Sequence, residues 1–233
     1  MEKNLGELIE RANPDFIETL VMDKEDYSHM KDYGLPITIH CMHNRFGVNM
    51  ANPMKLKQNM KAIDLAIKTA DMLNSNVIVI HPGYYENHSC NVETSIELLK
   101  GYSDKRIVIE NMPFFIKKDS EIFNFGKSID EMKPILDQTK KGFCLDFGHA
   151  PAAAYGLKKE YMNFVKDLIK LRPDYFHMSD SLVKVAVDEH IHLGEGELDL
   201  IGFKKLLPRN AQVALETPMD VDGRVKDIAF MRE

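Results

Sequence analysis

The sequence repeats one unit that strongly restricts its fold: a short apolar run that ends in a residue able to bind a metal ion. The run that ends at His40, for example, reads Ile-Thr-Ile-His. Brief, continuous runs rich in β-branched or aromatic residues are typical of parallel strands buried on both faces. The six runs are Ile37–His40, Ile78–His81, Ile107–Glu110, Phe143–Asp146, Asp174–His177 and Val213–Glu216.

Amphipathic stretches separate these runs. Lys55–Leu73 carries apolar residues at helical spacing, and so does Tyr161–Leu171. A third helix is predicted over Ser128–Gln138, where Ser128 and Glu131 have the spacing of a capping box. Strands that alternate with helices predict an α/β fold with right-handed crossovers, here a TIM-type (β/α) barrel formed by one domain over residues 1–233.

The number of strands falls short of a closed barrel. Asp15–Val21 is a seventh candidate strand, and the helix-like segment Leu5–Ala12 precedes it. A closed barrel has eight strands, so the first strand is expected to be missing. Three explanations stay open: the barrel is incomplete, a partner fills the gap, or the gene starts further upstream.

Composition narrows the class of protein. The 233 residues are 44% hydrophobic, which suits one large core, and the net charge of −6 argues against a general DNA-binding protein. The three cysteines form no CxxC pair and fit a reducing compartment. The sequence has neither an apolar run of membrane-spanning length nor the pattern of a signal peptide, so a cytoplasmic location without membrane association is expected.

The residues that end the strands are expected to lie together, because the carboxyl ends of barrel strands form one rim. A single His, Asp or Glu there is more often an ordinary loop or core residue. Six of them at the same position in a repeated pattern would carry a large desolvation cost unless divalent ions compensated it. Mixed imidazole and carboxylate ligands favour Zn²⁺, with Mn²⁺ or Fe²⁺ as alternatives.

Two further clusters add candidate ligands. His149 follows Asp146 by three residues, and Asp188 and His190 lie in the loop after the sixth run. Residues two apart in an extended loop point the same way, so Asp188 and His190 are predicted to share an ion. His192 is followed at once by a glycine-rich turn, and a hydrogen-bonded loop residue is the preferred interpretation there.

With these residues assembled, the chain resembles the endonuclease IV family and, more broadly, the xylose isomerase-like barrels that include sugar isomerases and epimerases. The motifs run in the family's order over most of the chain. They are His81-Pro82-Gly83, Glu110-Asn111-Met112, Cys144 to His149, His177 to Ser181, Asp188-Glu189-His190 with Gly194-Glu195-Gly196, and Leu215 to Pro218.

The resemblance implies three zinc ions and cleavage of DNA on the 5′ side of abasic sites, an activity of DNA repair. By motif, His40 and His81 would bind a first ion and Glu110 would bridge it to a second. Asp146, His177 and Glu216 would complete the second site, and His149, Asp188 and His190 the third. Sugar isomerases typically keep only the subset Glu110, Asp146, His177 and Glu216, so the other five residues favour phosphodiester chemistry.

The sequence departs from the family pattern in two segments, and these affect the expected substrate more than the expected reaction. The family's Asn-Pro-Arg loop, which enters DNA, is replaced by the acidic segment Met22–Asp26. The segment with the DNA-wedging Tyr is replaced by Cys41–Phe46. Binding of damaged DNA is therefore expected to be weak and dependent on salt concentration.

The ligand could be either His40 or His43. His43 matches the family better by its spacing to Asn49, whereas His40 has the same position in its strand as His81 has in the next. Because position along a strand fixes the direction of a side chain, His40 is preferred.

The leading hypothesis is metal-assisted hydrolysis of a phosphodiester, in which Glu110 and Glu216 are the catalytic residues. A sugar or sugar-phosphate isomerase, with the same two carboxylates moving protons, is the first alternative. A metal-dependent scaffold without catalysis is ranked last. A homo-oligomer is compatible with the sequence.

Overall fold

Seven parallel strands form the centre of the molecule in the computed structural model, which describes residues 2–118 and 120–233. The sheet order follows the chain from the first strand to the last, as the predicted barrel requires. The strands are β1 Ile17–Leu20, β2 Ile37–His40, β3 Ile78–Ile80, β4 Ile107–Glu110, β5 Gly142–Asp146, β6 Tyr175–Met178 and β7 Val213–Leu215.

Helices follow or precede every strand and cover the outside of the sheet. The helices are α1 Glu2–Ala12, α2 Leu56–Leu73, α3 Val92–Lys100, α4 Ile129–Thr139, α5 His149–Gly156, α6 Tyr161–Ile169, α7 Leu200–Leu206 and α8 Val221–Arg232. Short 3-10 helices occupy Ser28–Tyr33, Asn44–Phe46 and Pro53–Lys55. The Ser128 hydroxyl caps α4 by accepting a hydrogen bond from Glu131 N at 3.3 Å, in agreement with the predicted start of that helix.

Side chains along each strand point alternately outward and inward, and this divides the core into two parts. Residues such as Ile78, Ile80 and Ile109 point outward and pack between sheet and helices. The opposite set points into the barrel, where Val79, Val108 and their counterparts form a smaller apolar cluster. Since side chains alternate with a period of two, the predicted ligand of each strand lies on the inner face, two residues after an interior filler. The fillers are Thr38, Val79, Val108, Cys144, Tyr175 and Ala214.

The barrel has an open seam. Within the described chain, β1 and β7 are the two edges of the sheet and do not pair with each other. A cavity of about 160 Å³ lies between them, and α1 packs against α8 across the outside of the opening. The prediction of seven strands instead of eight is therefore confirmed, and the place of the missing strand is the seam. Among the described helices, none is both long and apolar enough to cross a membrane.

We predict that Ile109→Ala lowers the free energy of unfolding by about 2–5 kcal/mol, because this fully buried side chain would leave a cavity in the outer core. Urea unfolding followed by circular dichroism measures the change. Ile201→Ala is the matched control, since Ile201 is 52% exposed and its truncation leaves no internal cavity. Equal losses in both variants would contradict this description of the core.

Candidate metal centre

The strand ends bring six ionisable side chains to one rim. His40, Glu110 and Asp146 are the last residues of β2, β4 and β5, and His177 lies in β6. His81 and Glu216 follow β3 and β7 by one residue, so the observed strands stop slightly earlier than the predicted runs. The six side chains converge above the apolar interior of the barrel.

Glu110 lies at the centre of this rim and is fully buried. Its Oε2 is 2.9 Å from His81 Nε2 and 3.4 Å from His40 Nε2. Its Oε1 is 3.1 Å from His149 Nδ1 and 3.2 Å from His177 Nδ1. One carboxylate thus faces two separate groups of imidazoles, the arrangement that a bridging ligand needs.

A second group gathers on the other side of Glu110. His177 Nδ1 is 3.5 Å from Glu216 Oε1 and 3.8 Å from Asp146 Oδ2. Glu110, Asp146, His149 and Glu216 each offer a ligand atom within 4.8 Å of the others. Three carboxylates this close require compensating positive charge.

The third group combines His149 with the loop after β6. His149 Nε2 is 3.5 Å from Asp188 Oδ2, and His190 Nε2 is 2.5 Å from the same oxygen and 3.2 Å from Glu216 Oε2. His190 has φ of +50°, a conformation that costs energy in a residue other than glycine. The loop therefore holds His190 against the rim at a conformational cost, and Glu216 joins this group to the second.

The spacing of these atoms suits shared metal ions. Two ligands about 2.05 Å from a tetrahedral ion are about 3.3 Å apart, close to most of the distances between imidazole nitrogens and carboxylate oxygens here. Within the described residues, Glu110 Oε2, Asp146 Oδ2 and His190 Nε2 are buried without a hydrogen-bond partner. His190 Nε2 is thus close to Asp188 but lacks hydrogen-bond geometry, as expected for two atoms that face a common third point.

The remaining ring nitrogens have partners of their own. His40 Nδ1 donates to Cys41 O at 2.8 Å, and His149 Nδ1 donates to Asn111 O at 2.9 Å. In both rings Nε2 is left to face a carboxylate, which is Glu110 for His40 and Asp188 for His149. Such hydrogen bonds are the usual means of fixing the tautomer and the orientation of a metal-binding histidine.

The pKa values reflect the same balance of charges. Burial lowers the pKa of His149, but Asp146, Asp188 and Glu110 outweigh it and the net pKa is well above its usual range. Burial raises the pKa of Glu110, but His177 and His81 outweigh it and the net pKa is well below its usual range. Burial also raises the pKa of Asp146 to about 6. The carboxylates therefore require positive charge at the imidazoles, which either protons or divalent ions can provide.

His43 occupies a different position from His40. Among the described residues, the groups of potential ligands include His40 and leave out His43. His43 Nδ1 is 2.7 Å from Asn44 Oδ1, and its ring centre is 5.0 Å from that of His81. Burial, followed by the charges of His81 and His40, lowers the pKa of His43 to about 3. His43 is thus a neutral imidazole at the edge of the cluster.

Comparison with known proteins places this geometry in a family. The pattern of the xylose isomerase-like TIM barrel family matches residues 8–233. The chain belongs to that family. In sequence it is 28% identical over 216 residues to a protein named probable endonuclease 4 from Halothermothrix orenii, an alignment that covers 82% of this chain and 75% of the relative.

Solved structures that share this fold include an epimerase-like protein and an endonuclease IV. A D-tagatose 3-epimerase-like protein has a TM-score of 0.75 at 23% identity, covering 97% of this chain and 90% of its own. Endonuclease IV from Thermus thermophilus has a TM-score of 0.69 at 19% identity, covering 97% and 92%. The resemblance inferred from the motifs is therefore confirmed, while these two structures establish the shared fold alone.

Several residues of this xylose isomerase-like barrel were missed by the sequence reasoning. Asn111 Oδ1 accepts a hydrogen bond from Asp146 N at 2.8 Å, and its Nδ2 donates to Asp146 O at 3.1 Å. Asp180 accepts hydrogen bonds from Gly194 N and Gly196 N and so shapes the glycine-rich turn. Glu18 lies against His177. The signal for Glu18 and Asp180 was a charge within or directly after a predicted strand.

His192 connects the loop that carries Asp188 and His190 to α8. Its Nδ1 is 2.7 Å from Asp227 Oδ2 and its Nε2 is 2.7 Å from Asp220 Oδ2. The expectation of a hydrogen-bonded loop residue is thus confirmed. Burial lowers the pKa of His192, but Asp227 and Asp220 outweigh it and the net pKa is raised. The ring therefore anchors the loop that carries Asp188 and His190.

We predict that His192→Ala lowers the unfolding free energy of the metal-free protein by about 1–3 kcal/mol near pH 6, because a buried hydrogen bond to Asp227 and a partly exposed one to Asp220 are lost. The pKa of His192 is raised above its unfolded value of 6.5. Its contribution is therefore complete below that pH and is lost as the pH rises through the folded-state pKa. Urea unfolding near pH 6 and pH 9 measures the difference, which should be larger at the lower pH.

His88→Ala is the control, since His88 is exposed and bonded to Tyr85 on the surface. A difference for His192→Ala that grows with pH would contradict the proposed anchoring.

Proposed function

We propose that this protein is a multi-zinc hydrolase of the endonuclease IV type that cleaves phosphodiester bonds. The observation that carries the proposal is the third group, His149, Asp188 and His190, whose ligand atoms lie within 4.8 Å of one another beside three other, overlapping sets of candidate ligands. An isomerase needs one divalent ion to orient neighbouring oxygens, so a third group has no function in that reaction. Phosphodiester hydrolysis uses ions on both the attacking and the leaving oxygen.

The ligand atoms divide into three sets. His40, His81 and Glu110 would hold the first ion, and Glu110 would bridge to the second. His149, Asp188 and His190 would hold the third. Nitrogen and carboxylate oxygen together suit Zn²⁺, and Mn²⁺ or Fe²⁺ accept the same donors. The second ion would be held by Glu110, Asp146, His177 and Glu216.

The two catalytic carboxylates differ in exposure, and this assigns their roles. When bound, the ions lower the pKa of the attacking water and stabilise charge on the phosphoryl oxygens. The Glu110 side chain is fully buried against four histidines, so in hydrolysis it would serve as a ligand shared by two ions. The Glu216 side chain is 21% exposed, so it can orient the attacking water and accept its proton.

The rim around the site restricts how DNA could bind. Asp23, Glu25 and Asp26 are exposed on the loop that follows β1, and the net charge of the chain is −6. Lys24 and Lys61, which pairs with Asp23, offset part of this charge, and the remaining excess of carboxylates disfavours phosphates. Affinity for a duplex would therefore rest on cations at the metal centre and would fall with rising salt concentration. An abasic-site duplex is the first substrate to test, because the curated relative is named as an endonuclease.

A sugar or sugar-phosphate isomerase is the second candidate. The observation in its favour is the acidic rim, which suits an uncharged sugar better than a polyanion. Glu110, Asp146, His177 and Glu216 would then hold one ion, and Glu110 and Glu216 would move the protons. The number of ions that the protein needs for turnover separates the two functions.

We predict that the purified protein binds three zinc ions per chain and that Asp188→Ala binds two. Asp188 Oδ2 lies between His149 and His190, so its loss removes the shared oxygen of the third group. Plasma mass spectrometry after dialysis against zinc and a desalting step gives the stoichiometry. Asp23→Ala, which removes an exposed rim carboxylate outside the groups, is expected to keep three ions. A wild-type stoichiometry of one would favour the isomerase.

We predict that Glu110→Gln lowers cleavage of an abasic-site duplex by at least about a hundredfold while the chain still folds. An amide has one acceptor oxygen and no charge, so it can neither bridge two ions nor offset their charge. Initial rates at low salt concentration measure the effect, and thermal unfolding checks the fold. Glu97→Gln on the exposed face of α3 is the control.

Two results would refute the assignment. Cleavage by Glu110→Gln at the wild-type rate would remove Glu110 from the mechanism. Wild-type protein that converts sugars from a ketose and aldose panel, and leaves the duplex intact, would establish the isomerase instead.

A further inference from the structure

A charged side chain lies inside the barrel below the ring of ligands. Glu18 is in β1, where Leu20 pairs in register with His40 and Glu18 pairs with Thr38. Thr38 is an interior filler, so Glu18 belongs to the layer of fillers and not to the layer of ligands. The corresponding positions of the other strands are occupied by uncharged residues. A carboxylate at this depth needs a partner.

The partner of Glu18 is His177. Glu18 Oε2 is 3.1 Å from His177 Nε2, and the His177 ring is fully buried. The other nitrogen, Nδ1, is 3.2 Å from Glu110 Oε1 and 3.5 Å from Glu216 Oε1. One imidazole therefore joins the partly buried carboxylate below it to the group of candidate ligands above it.

Other ligand histidines are supported differently. His40 and His149 direct their second nitrogens to the backbone carbonyls of Cys41 and Asn111. A carbonyl fixes the tautomer of the ring but contributes no net charge. A carboxylate also makes the opposite nitrogen a stronger electron donor, which is why carboxylate–histidine–zinc arrangements recur at metal sites.

An arginine that lines the same cavity as Glu18 forms its hydrogen bonds with the backbone. Glu18 and Arg224 line the same cavity of about 360 Å³ beside β1. Arg224 donates its hydrogen bonds to the carbonyl oxygens of Pro218 and Thr217. The hydrogen bonds of Arg224 thus go to backbone carbonyls, whereas the close contact of the Glu18 carboxylate is with His177.

We propose that Glu18 is a positioning residue of the metal centre: it accepts the Nε2 proton of His177 and thereby aims Nδ1 at the second ion and strengthens that bond. The inference rests on the metal centre of the proposed function and is independent of the substrate. If Glu18 only filled space, a side chain of the same shape would replace it without loss. If it acts through its charge and its hydrogen bond, shape alone does not suffice.

The test compares Glu18→Gln and Glu18→Ala with wild-type protein and with Glu25→Gln. Glu25→Gln is the matched control. Glu25 lines the same cavity as Glu18, and its substitution removes the same charge, but its side chain is exposed on the rim. Zinc affinity is measured by competition with a chromophoric chelator, ion by ion, and Co²⁺ absorption spectra report the geometry of the substituted sites. Thermal unfolding of the metal-free variants separates metal binding from folding.

We expect Glu18→Ala to lower the affinity for one of the zinc ions by about 10–100-fold and to change the Co²⁺ absorption spectrum. Glu18→Gln should lie between Ala and wild type, because its amide oxygen still accepts the Nε2 proton but carries no charge. Glu25→Gln should match wild type. Equal zinc affinity in Glu18→Ala and wild type would overturn the inference, and so would equal affinity in Glu18→Gln and wild type, which would indicate a role of shape alone.

These outcomes are distinct from failure of the proposed function. Normal zinc binding in wild-type protein that cleaves no phosphodiester would refute the function and leave the zinc measurements on Glu18 valid. Wild-type protein that binds no divalent ion would overturn both.

Discussion

The charge of one buried carboxylate, Glu110, is the constraint on which the rest of the site depends. Its side chain has no exposed surface, and its two oxygens face four histidines. An ionised carboxylate in such surroundings is strongly unfavourable unless other charges compensate it. The imidazoles around it, or the ions they would hold, are therefore part of what makes the centre of the barrel stable.

The barrel keeps its buried charges apart from its apolar interior by placing them in different layers along the strands. Apolar fillers such as Val79 and Val108 close the interior below, so the charged side chains meet only at the carboxyl ends of the strands. Alternation along each strand keeps the outward residues in the main core while the inward residues reach the rim. Glu18 is the exception in the filler layer, and it is joined to the rim through His177. The open seam beside β1 gives that carboxylate a less apolar environment than a closed barrel would.

The loop after β6 brings the third group to the rim, and its position depends on contacts far away in sequence. His192 binds Asp220 and Asp227 at the start and middle of α8, and Asp180 holds the backbone of the glycine-rich turn. These contacts fix the part of the loop that directly follows His190, whose positive φ has a conformational cost. Asp188 and His190 therefore reach His149 because α8 and the turn hold the loop in place.

The sequence by itself determined the fold class, the seven strands and the six candidate ligands at the strand ends. Those features follow from local rules, since the period of two in a strand and the common edge of parallel strands are fixed by backbone geometry. It also indicated the loop ligands Asp188 and His190 and the hydrogen-bonded character of His192. Four helices were not predicted: α3 and α7 are short, and α5 and α8 have no amphipathic pattern.

Only the tertiary structure decided which atoms meet. It placed His40 beside Glu110 and left His43 at the edge of the cluster. It showed Asn111 bonded to the backbone of Asp146, and it brought Glu18 to His177 across 159 positions in the sequence. Such contacts cannot be read from local patterns, because they depend on the register between strands and on how the barrel closes around its seam.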